Sequence, residues 1–233
     1  MNRSVVGWIV AFALAFAGSV LAWVWFAGGS GEPSTGLTTP TIAGAATTAA
    51  AGTSRTFVID PSRSVAGFEI DEILRGSSNR VFGQTDQVVG QVQVDLADLS
   101  TVQLSQIVVN ARTFRTDSER RDRAIRGPII LNSATDQFEL ITLDVDPATG
   151  LSGSAQPGDV LSFSLKGDLT IKGVTKEVVF EVEVTLSDGS TIEGSVTTIV
   201  LRSDFGIGIP NVPGIADVSD EVVLSLSFVA VAG

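Results

Sequence analysis

Alternation of apolar and polar side chains is the dominant pattern from residue 55 onward. In the stretch 177–186, Val, Phe and Leu at the even positions alternate with Glu and Thr at most of the odd ones. The stretches 88–95, 160–166 and 222–230 repeat the alternation. Because successive side chains of a β-strand point to opposite faces, this period of two predicts antiparallel strands with one dry face and one solvated face.

Turn signals between these runs favour an all-β architecture. Ser-Asp-Gly-Ser at 187–190 contains the Asp-Gly pair that supplies the positive φ angles of a tight hairpin, and Lys172-Gly173 is a second such turn. The best helical stretch is 118–125. Many short strands at close spacing predict a closed barrel or a sandwich. A barrel of about eight strands is able to enclose one small ligand, although a filled core is the more common outcome.

An uninterrupted apolar run lies in front of this pattern. Residues 5–27 carry no charge, and a helix of this length would be roughly 34 Å long, enough to cross a hydrocarbon core of about 30 Å. Trp8 near one end and Trp23 near the other suit the two membrane interfaces, and Arg3 favours a cytoplasmic N-terminus. The sequence therefore predicts an N-terminal transmembrane helix that serves as an anchor over 1–27.

A cleaved signal peptide is the alternative for this segment, because small residues follow the run at 27–30. In both cases the remainder of the chain is expected outside the cytoplasm, either membrane-anchored in the periplasm or at the cell surface, or secreted after cleavage. Residues 28–54 are mostly Gly, Ala, Ser, Thr and Pro, with little to bury, and they predict a disordered linker. The β pattern then defines a domain at 55–233.

Most charges of the 233-residue chain lie in this domain. The chain has 26 Asp and Glu against 15 Lys and Arg, a net charge of −11, and only Arg3 and Glu32 precede Arg55. It has no His, Cys or Tyr, which excludes Ser-His-Asp and thiolate catalysis and leaves only all-oxygen metal sites. The acidic excess argues against nucleic acid as a partner. We predict no catalytic residue and no metal site.

Five segments in chain order form a recognisable set of motifs: F-V-I-D-P-S-R-S at 57–64, E-R-R-D-R-A-I-R at 119–126, G-D-L-T-I-K-G-V-T-K at 167–176, R-S-D-F-G at 202–206 and D-E-V at 220–222. They resemble motifs of the YceI family of lipocalin-like, exported β-barrels. The third is the most specific match, and the resemblance covers 56–231. It implies an antiparallel lipocalin-like β-barrel with one short helix and a long apolar tunnel.

For function, the resemblance implies that the tunnel holds a polyisoprenoid, such as the tail of an isoprenoid quinone or a prenol, for transport or storage without catalysis. Two positions depart from the family's motifs, because Ala124 and Lys172 stand where the family often has His. The stretch 127–131 also lacks the family's usual pair of aromatic residues. The identity of the lipid headgroup is therefore left open.

Six arginines fall between residues 112 and 126. One interpretation is a lid helix at the barrel mouth whose guanidinium groups meet an anionic headgroup or a membrane phosphate. The other is a solvated helix with internal ion pairs, each contributing about 0–1 kcal/mol. Because Arg121, Asp122 and Arg126 match family positions, a structural cluster of ion pairs is favoured over direct ligand contact. The ligand-binding candidates kept from this segment are Arg121, Asp122, Ile125 and Arg126.

Aromatic residues supply the remaining candidates. The phenylalanines expected to line the tunnel are Phe68, Phe82, Phe138, Phe163 and Phe180. Aromatic residues on a dry face are also common in a plain core, so the alternation by itself does not show a cavity. Asp204 is expected to hold the end of a strand in place, and Phe205 is expected to close the end of the barrel or of its tunnel.

The sequence predicts a protein that binds a polyisoprenoid or another long apolar lipid in the lumen of a barrel. The alternative is an interaction module of the cell envelope whose barrel is filled and binds no lipid. Paired carboxylates such as Asp71-Glu72 are able in principle to act as acid and base, but among 26 acidic residues some neighbours are expected by chance. Enzymatic activity is therefore not predicted, and no protein partner is indicated.

Overall fold

The structure, a computed structural model, describes residues 27–42, 54–146, 151–209 and 215–233. The predicted anchor at 1–27, except its last residue, lies outside these ranges, as do residues 43–53 of the predicted linker. Across the described ranges, no helix is both long enough and apolar enough to cross a bilayer.

Thirteen strands form one antiparallel sheet within these ranges. They are β1 (Ser54–Ile59), β2 (Val65–Leu74), β3 (Ser77–Thr85), β4 (Val88–Val89), β5 (Gln91–Asp95), β6 (Asp98–Leu104), β7 (Ile107–Asn110), β8 (Leu140–Val145), β9 (Val160–Ile171), β10 (Val174–Asp188), β11 (Thr191–Leu201), β12 (Ile215–Ala216) and β13 (Glu221–Ala232). An α-helix, α1 (Glu119–Arg126), lies between β7 and β8 in the chain. The prediction of a mostly β, antiparallel fold with a short helix is confirmed, in the form of a single curled sheet.

The longest strand pairs follow the alternation seen in the sequence. β9 pairs with β10 over twelve residue pairs, and β11 pairs with β13 over eleven. The turn between β9 and β10 is Lys172-Gly173, with φ angles of +51° and +76°. Both residues have the left-handed backbone conformation that a two-residue hairpin turn of this kind requires.

The sheet curls because its long strands bend at short interruptions. The 3₁₀ helix Pro61–Arg63 separates β1 from β2, Gly90 separates β4 from β5, and Ser105-Gln106 separates β6 from β7. These pairs of strands otherwise continue one another, so the thirteen strands correspond to ten longer ones, including the two-residue β12, where about eight were expected. On the two sides of Gly90, β5 pairs with β1 and β4 pairs with β7, so the two halves of the sheet meet there.

Helix α1 has clear start and stop signals. The Ser118 hydroxyl accepts from the amide of Arg121 and caps the first turn. Glu119 in the first turn and Arg126 in the last suit the helix dipole, and the chain leaves the helix at Gly127. The helix therefore lies within one residue of its predicted position.

Residues 28–42, which we call the strap, lie against the sheet and α1. Arg126 Nε donates to one strap carbonyl at 2.7 Å, Gln91 Nε2 donates to another at 3.0 Å, and Glu139 accepts from a strap amide at 2.9 Å. The strap residues involved are, in the same order, Gly28, Pro40 and Ser34. This packing differs from the disordered linker expected over 28–54, because main-chain groups of small residues make the contacts and composition does not reveal them.

Candidate functional site

A cavity of about 240 Å³ lies inside the curled sheet. On β9 its walls include Leu161, Phe163 and Leu165, and on β10 they include Phe180 and Val182. These are alternate residues, so the period of two in the sequence is also the period of the cavity wall. Other strands contribute further apolar side chains, among them Ile107, Val109, Ile141, Leu143, Ile192, Val196, Leu224, Leu226 and Phe228.

Three residues with polar side chains touch the cavity: Gln91, Lys166 and Ser225. The Lys166 ammonium lies 2.7 Å from the carboxylate of Glu177, where both side chains are more than half exposed, and the Gln91 amide donates to the strap. Ser225 alternates with the inward-facing leucines of β13 and so lies on the opposite face. Among the described residues that line the cavity, none carries a carboxylate. The cavity is therefore an apolar space in which these polar groups point away from the interior.

The cavity is bordered along most of β9. Its lining residues on that strand run from Leu161 to Ile171, about 33 Å of strand at roughly 3.3 Å per residue. A volume of about 240 Å³ offers room for one hydrocarbon tail rather than for two side by side.

Residues 151–159, which precede β9, cover one end of the cavity. Leu151 and Ala155 line the cavity there, and Ala155 is buried. The amide of Leu99 donates to this segment, and two amides of the segment donate to the carbonyls of Leu96 and Leu186. Because the surrounding cluster is apolar, this end resembles a closed tail pocket.

Aromatic rings border the other end. Phe114 lines the cavity, and its ring meets that of Phe68 edge-on with the centroids 5.4 Å apart. Phe205 is almost fully buried in the same cluster as Ile171 and Phe180. Phe205 thus packs next to the lining residues at the end of the cavity where β9 finishes.

The phenylalanines predicted to line the tunnel fall into two groups. Phe163 and Phe180 line the cavity. The other three do not: Phe68 packs against Phe114, Phe82 is 58% exposed, and Phe138 lies in the 3₁₀ helix Asp136–Phe138 with its ring near Gly173. On β3 the buried positions are Val81 and Gly83, so the residue between them faces solvent. Alternation shows which residues share a face, but it does not show which face becomes the interior.

The candidates on α1 do not line the cavity either. Arg121 Nη2 lies 3.3 Å from the buried carboxylate of Glu72, and its Nη1 pairs with Asp117. Asp122 is buried and accepts from the amide and the hydroxyl of Thr116 at 2.8 and 2.7 Å. Ile125 is buried as well. These side chains thus make ion pairs and hydrogen bonds within the protein, and Asp122 and Ile125 are buried, which a solvated helix would not require.

Arg126 binds the strap. Its side chain is 3% exposed, and its Nε and Nη2 donate to the carbonyls of Gly28 and Gly29 at 2.7 and 3.3 Å. Gly31 lies beside the guanidinium with a φ of +81°, which favours glycine, and a Cβ there would lie 2.8 Å from Nη1, so a larger residue would require Arg126 to shift. Burial lowers the pKa of Arg126, and the nearby charge of Asp122 opposes this change. The residue therefore holds the chain segment next to α1 in place.

Glu139 is the centre of a buried polar network that the sequence did not indicate. The carboxylate accepts from the amide and hydroxyl of Ser34, from Asn110 Nδ2 at 2.7 Å, and lies 3.3 Å from Arg112 Nη1. Burial works to raise the pKa of Glu139, but the hydrogen bonds from Ser34 and Asn110 and the charge of Arg112 more than offset it. The pKa therefore lies below the ordinary value of 4.5. The network joins the strap to β7 and to the start of β8.

Asp204 is exposed, and a different residue, Asp220, makes the hydrogen bonds at the strand end beside it. Asp220 accepts from the amide and the hydroxyl of Ser203 at 3.1 and 2.6 Å. Lys172, in the turn where the resemblance expects His, donates to the carbonyl of Ile129 at 3.0 Å, and burial lowers its pKa. Among the described residues, no three acidic side chains come together in a way that could hold a metal ion.

Phe114, Phe228 and the glycine opposite it were missed by sequence reasoning. Phe228 continues the inward-facing positions of β13, a signal that the alternation does contain. Gly194 occupies an inward position of β11 between two lining residues, where a Cβ would lie 2.9 Å from the Phe228 ring. The missing side chain makes room for that ring. Phe114 follows a 3₁₀ helix and has no periodic signal.

Comparison with known proteins relates this architecture to others. Residues 57–230 match the family model of the YceI-like domain. A UPF0312 protein of Staphylococcus aureus (strain N315) is 28% identical over 157 residues, which cover 65% of this chain and 81% of that protein. Staphylococcal relatives from other strains are similar to the same extent.

Two solved structures share the fold. A domain from Saccharophagus degradans, described as polyisoprenoid-binding and implicated in plant cell wall breakdown, is 14% identical with a TM-score of 0.60, covering 76% of this chain and 98% of that one. BcnA of Burkholderia cenocepacia is 19% identical with a TM-score of 0.56, covering 73% and 98%. At these identities the likeness concerns the fold alone.

Proposed function

We propose that this chain, which belongs to the YceI-like family, holds the tail of a single-chain apolar lipid, such as a polyisoprenoid, inside its curled sheet. The observation that carries the proposal is the cavity, a tunnel of about 240 Å³ lined by the inward apolar residues of the strands. The ligand class given for the Saccharophagus degradans domain is consistent with it. A filled barrel, the alternative interpretation of the sequence, does not account for this space.

The headgroup of such a lipid stays outside the cavity. Burying a hydroxyl or carbonyl without a hydrogen-bond partner costs about 2–7 kcal/mol, and the polar side chains that touch the cavity point away from its interior. Each buried methylene group contributes about 0.8 kcal/mol. Affinity therefore comes from the tail, so a quinone and a prenol with equal tails are expected to bind alike.

The role we propose is binding without catalysis, for carriage or storage outside the cytoplasm. The bound tail would lie in a closed barrel of about eight long strands, which is supported by the pairing of β5 with β1 and of β4 with β7 on the two sides of Gly90. The apolar segment 5–27 would tether the protein to the membrane. The absence of carboxylates among the described lining residues supports a site without acid–base chemistry.

The full-length chain in phosphatidylcholine nanodiscs is expected to bind geranylgeraniol saturably, with one molecule per chain. Geraniol, which has half as many carbons, should bind at least about tenfold more weakly because it buries fewer methylene groups. Equilibrium dialysis with mass-spectrometric quantification measures both, and empty nanodiscs supply the partitioning background. Uptake no greater than that background for either alcohol would rule out the proposal.

A further inference from the structure

The ladder between β4 and β7 is unusually short for a wall of the cavity. It consists of two residue pairs, Val88 with Val109 and Val89 with Val108, and we call it the seam. At its end the strand is interrupted by Gly90, where a Cβ would lie 2.4 Å from Ile107 Cδ1. The Ile107 side chain thus packs where the regular pairing with β7 stops, and single hydrogen bonds from Ile59 to Gly90 and from Ser105 to Gln91 continue the wall there.

The inner face of the seam borders the cavity directly. Ile107 and Val109 of β7 line it, and so does Val92, two residues beyond the interruption. By contrast, the ladders of β9 with β10 and of β11 with β13 contain twelve and eleven pairs. Opening the seam would disturb far fewer backbone hydrogen bonds than opening either of those ladders.

The outer face of the seam is buried too. Val89 and Val108 alternate with the inward residues and therefore point outward, yet they are only 5% and 6% exposed. Asn110, the next outward residue of β7, is fully buried. Outward residues of a solvated sheet would be exposed, so another part of the chain covers them.

The strap crosses the sheet at this place. Ser34 binds Glu139 next to the end of β7, and six residues later the Pro40 carbonyl accepts from Gln91 at the start of β5. Ile42, which follows, is 8% exposed. The strap is therefore anchored near both ends of the seam, at Ser34 and at Pro40, on the side where the outward valines are buried.

We propose that the seam is the place where the lipid tail passes into and out of the cavity, and that the strap is the latch that holds it shut. This inference rests on the proposed function. With the strap in place, the seam is packed on both faces and held by side-chain hydrogen bonds at each end. When the strap lifts, the seam is closed by its two residue pairs, by the Ile107 side chain, and by the hydrogen bonds that Asn110 donates to Gln87 and Ser105 donates to Gln91 on either side of it.

A disulfide across the seam tests this directly. Val89 and Val108 are directly opposite each other in an antiparallel ladder, which places their Cα atoms about 4.5–5.5 Å apart, within the range that a disulfide spans. The chain has no cysteine, so V89C/V108C forms one defined bond. In the full-length protein in phosphatidylcholine nanodiscs, we expect geranylgeraniol uptake from donor vesicles to be at least tenfold slower in the oxidised form than in the same protein after reduction.

The matched control is S164C/E181C, a directly opposite, outward pair in the ladder of β9 with β10. Its oxidation should leave the uptake rate unchanged, whereas S34A, which weakens the latch, should raise the rate in the otherwise unmodified chain. Equal uptake rates for oxidised and reduced V89C/V108C would overturn the proposal that the tail passes through the seam, while the proposal that the cavity binds the tail would stand. No uptake by the unmodified chain would instead count against the proposed function itself, and with it the seam.

Discussion

Replacing Val182 with Trp is expected to weaken the binding of geranylgeraniol by at least tenfold, or about 1.4 kcal/mol. Val182 is 5% exposed and faces the cavity from β10, so the larger ring occupies the space that the tail would fill. Because the ring enters an existing cavity, the loss of folding stability should not exceed the 1–3 kcal/mol that is typical of overpacking, as a rough estimate. Val196→Trp, which enters the same cavity from β11, should act in the same way.

The control for this substitution lies on the same strand. Val179 is 52% exposed on the outer face of β10, so Val179→Trp adds the same ring without touching the cavity. Equilibrium dialysis of the full-length variants measures the affinities, and thermal unfolding followed by circular dichroism confirms that each variant is folded. If Val182→Trp and Val179→Trp bind the lipid equally well, the tail does not lie in this tunnel.

Replacing Glu139 with Ala is expected to lower the free energy of unfolding by about 3 kcal/mol or more, the range found when one partner of a buried ion pair is removed. The substitution leaves the buried guanidinium of Arg112 and the amide of Asn110 without a shared acceptor. It also removes the acceptor that holds Ser34 of the strap. Urea denaturation of the full-length chain at pH 7 measures the effect.

Asp136 provides the control, because it is the other acidic partner of Arg112. Its side chain is 84% exposed, so Asp136→Ala should cost less than about 1 kcal/mol. A loss of stability in Asp136→Ala equal to that in Glu139→Ala would show that burial of the carboxylate is not what makes the network stabilising.

Acidification should remove the stabilisation of the folded protein that the Glu139 carboxylate contributes. The pKa of Glu139 in the folded protein lies below the ordinary value of 4.5, so its contribution is fully present at neutral pH and is lost as the pH falls from about 4.5 through the lowered pKa. The difference in stability between the unmodified chain and Glu139→Gln should therefore shrink over that interval. A difference that stays constant down to pH 3 would contradict this assignment.

The sequence alone was enough to predict the β-strands, the tight turn at Lys172-Gly173 and α1, because each depends on local signals. Alternation fixed which residues of β9 and β10 share a face, and Phe163 and Phe180 do line the cavity. It did not place Phe82, which carries the same local pattern but faces solvent. Which face turns inward depends on how the whole sheet curls, and that is a long-range property.

The strap and the network around Glu139 had no sequence signal, for a different reason. The strap is held largely through its carbonyls and amides, and every residue type supplies those groups. Glycines that look like flexible spacers, such as Gly31, are instead the residues that fit beside a buried guanidinium. The cluster of arginines did stand out in the sequence, but in the structure Arg126 and Arg121 bind other parts of the chain.

The most direct test of a single-chain lipid in the tunnel is a native mass spectrum of the full-length protein released from membranes in a mild detergent. We predict a population heavier than the chain by the mass of one molecule, which organic extraction identifies as a lipid with a single long hydrocarbon tail. The same population should be absent from Val182→Trp and present in Val179→Trp. A chain that carries no lipid, or that carries the same lipid in both variants, would contradict the account.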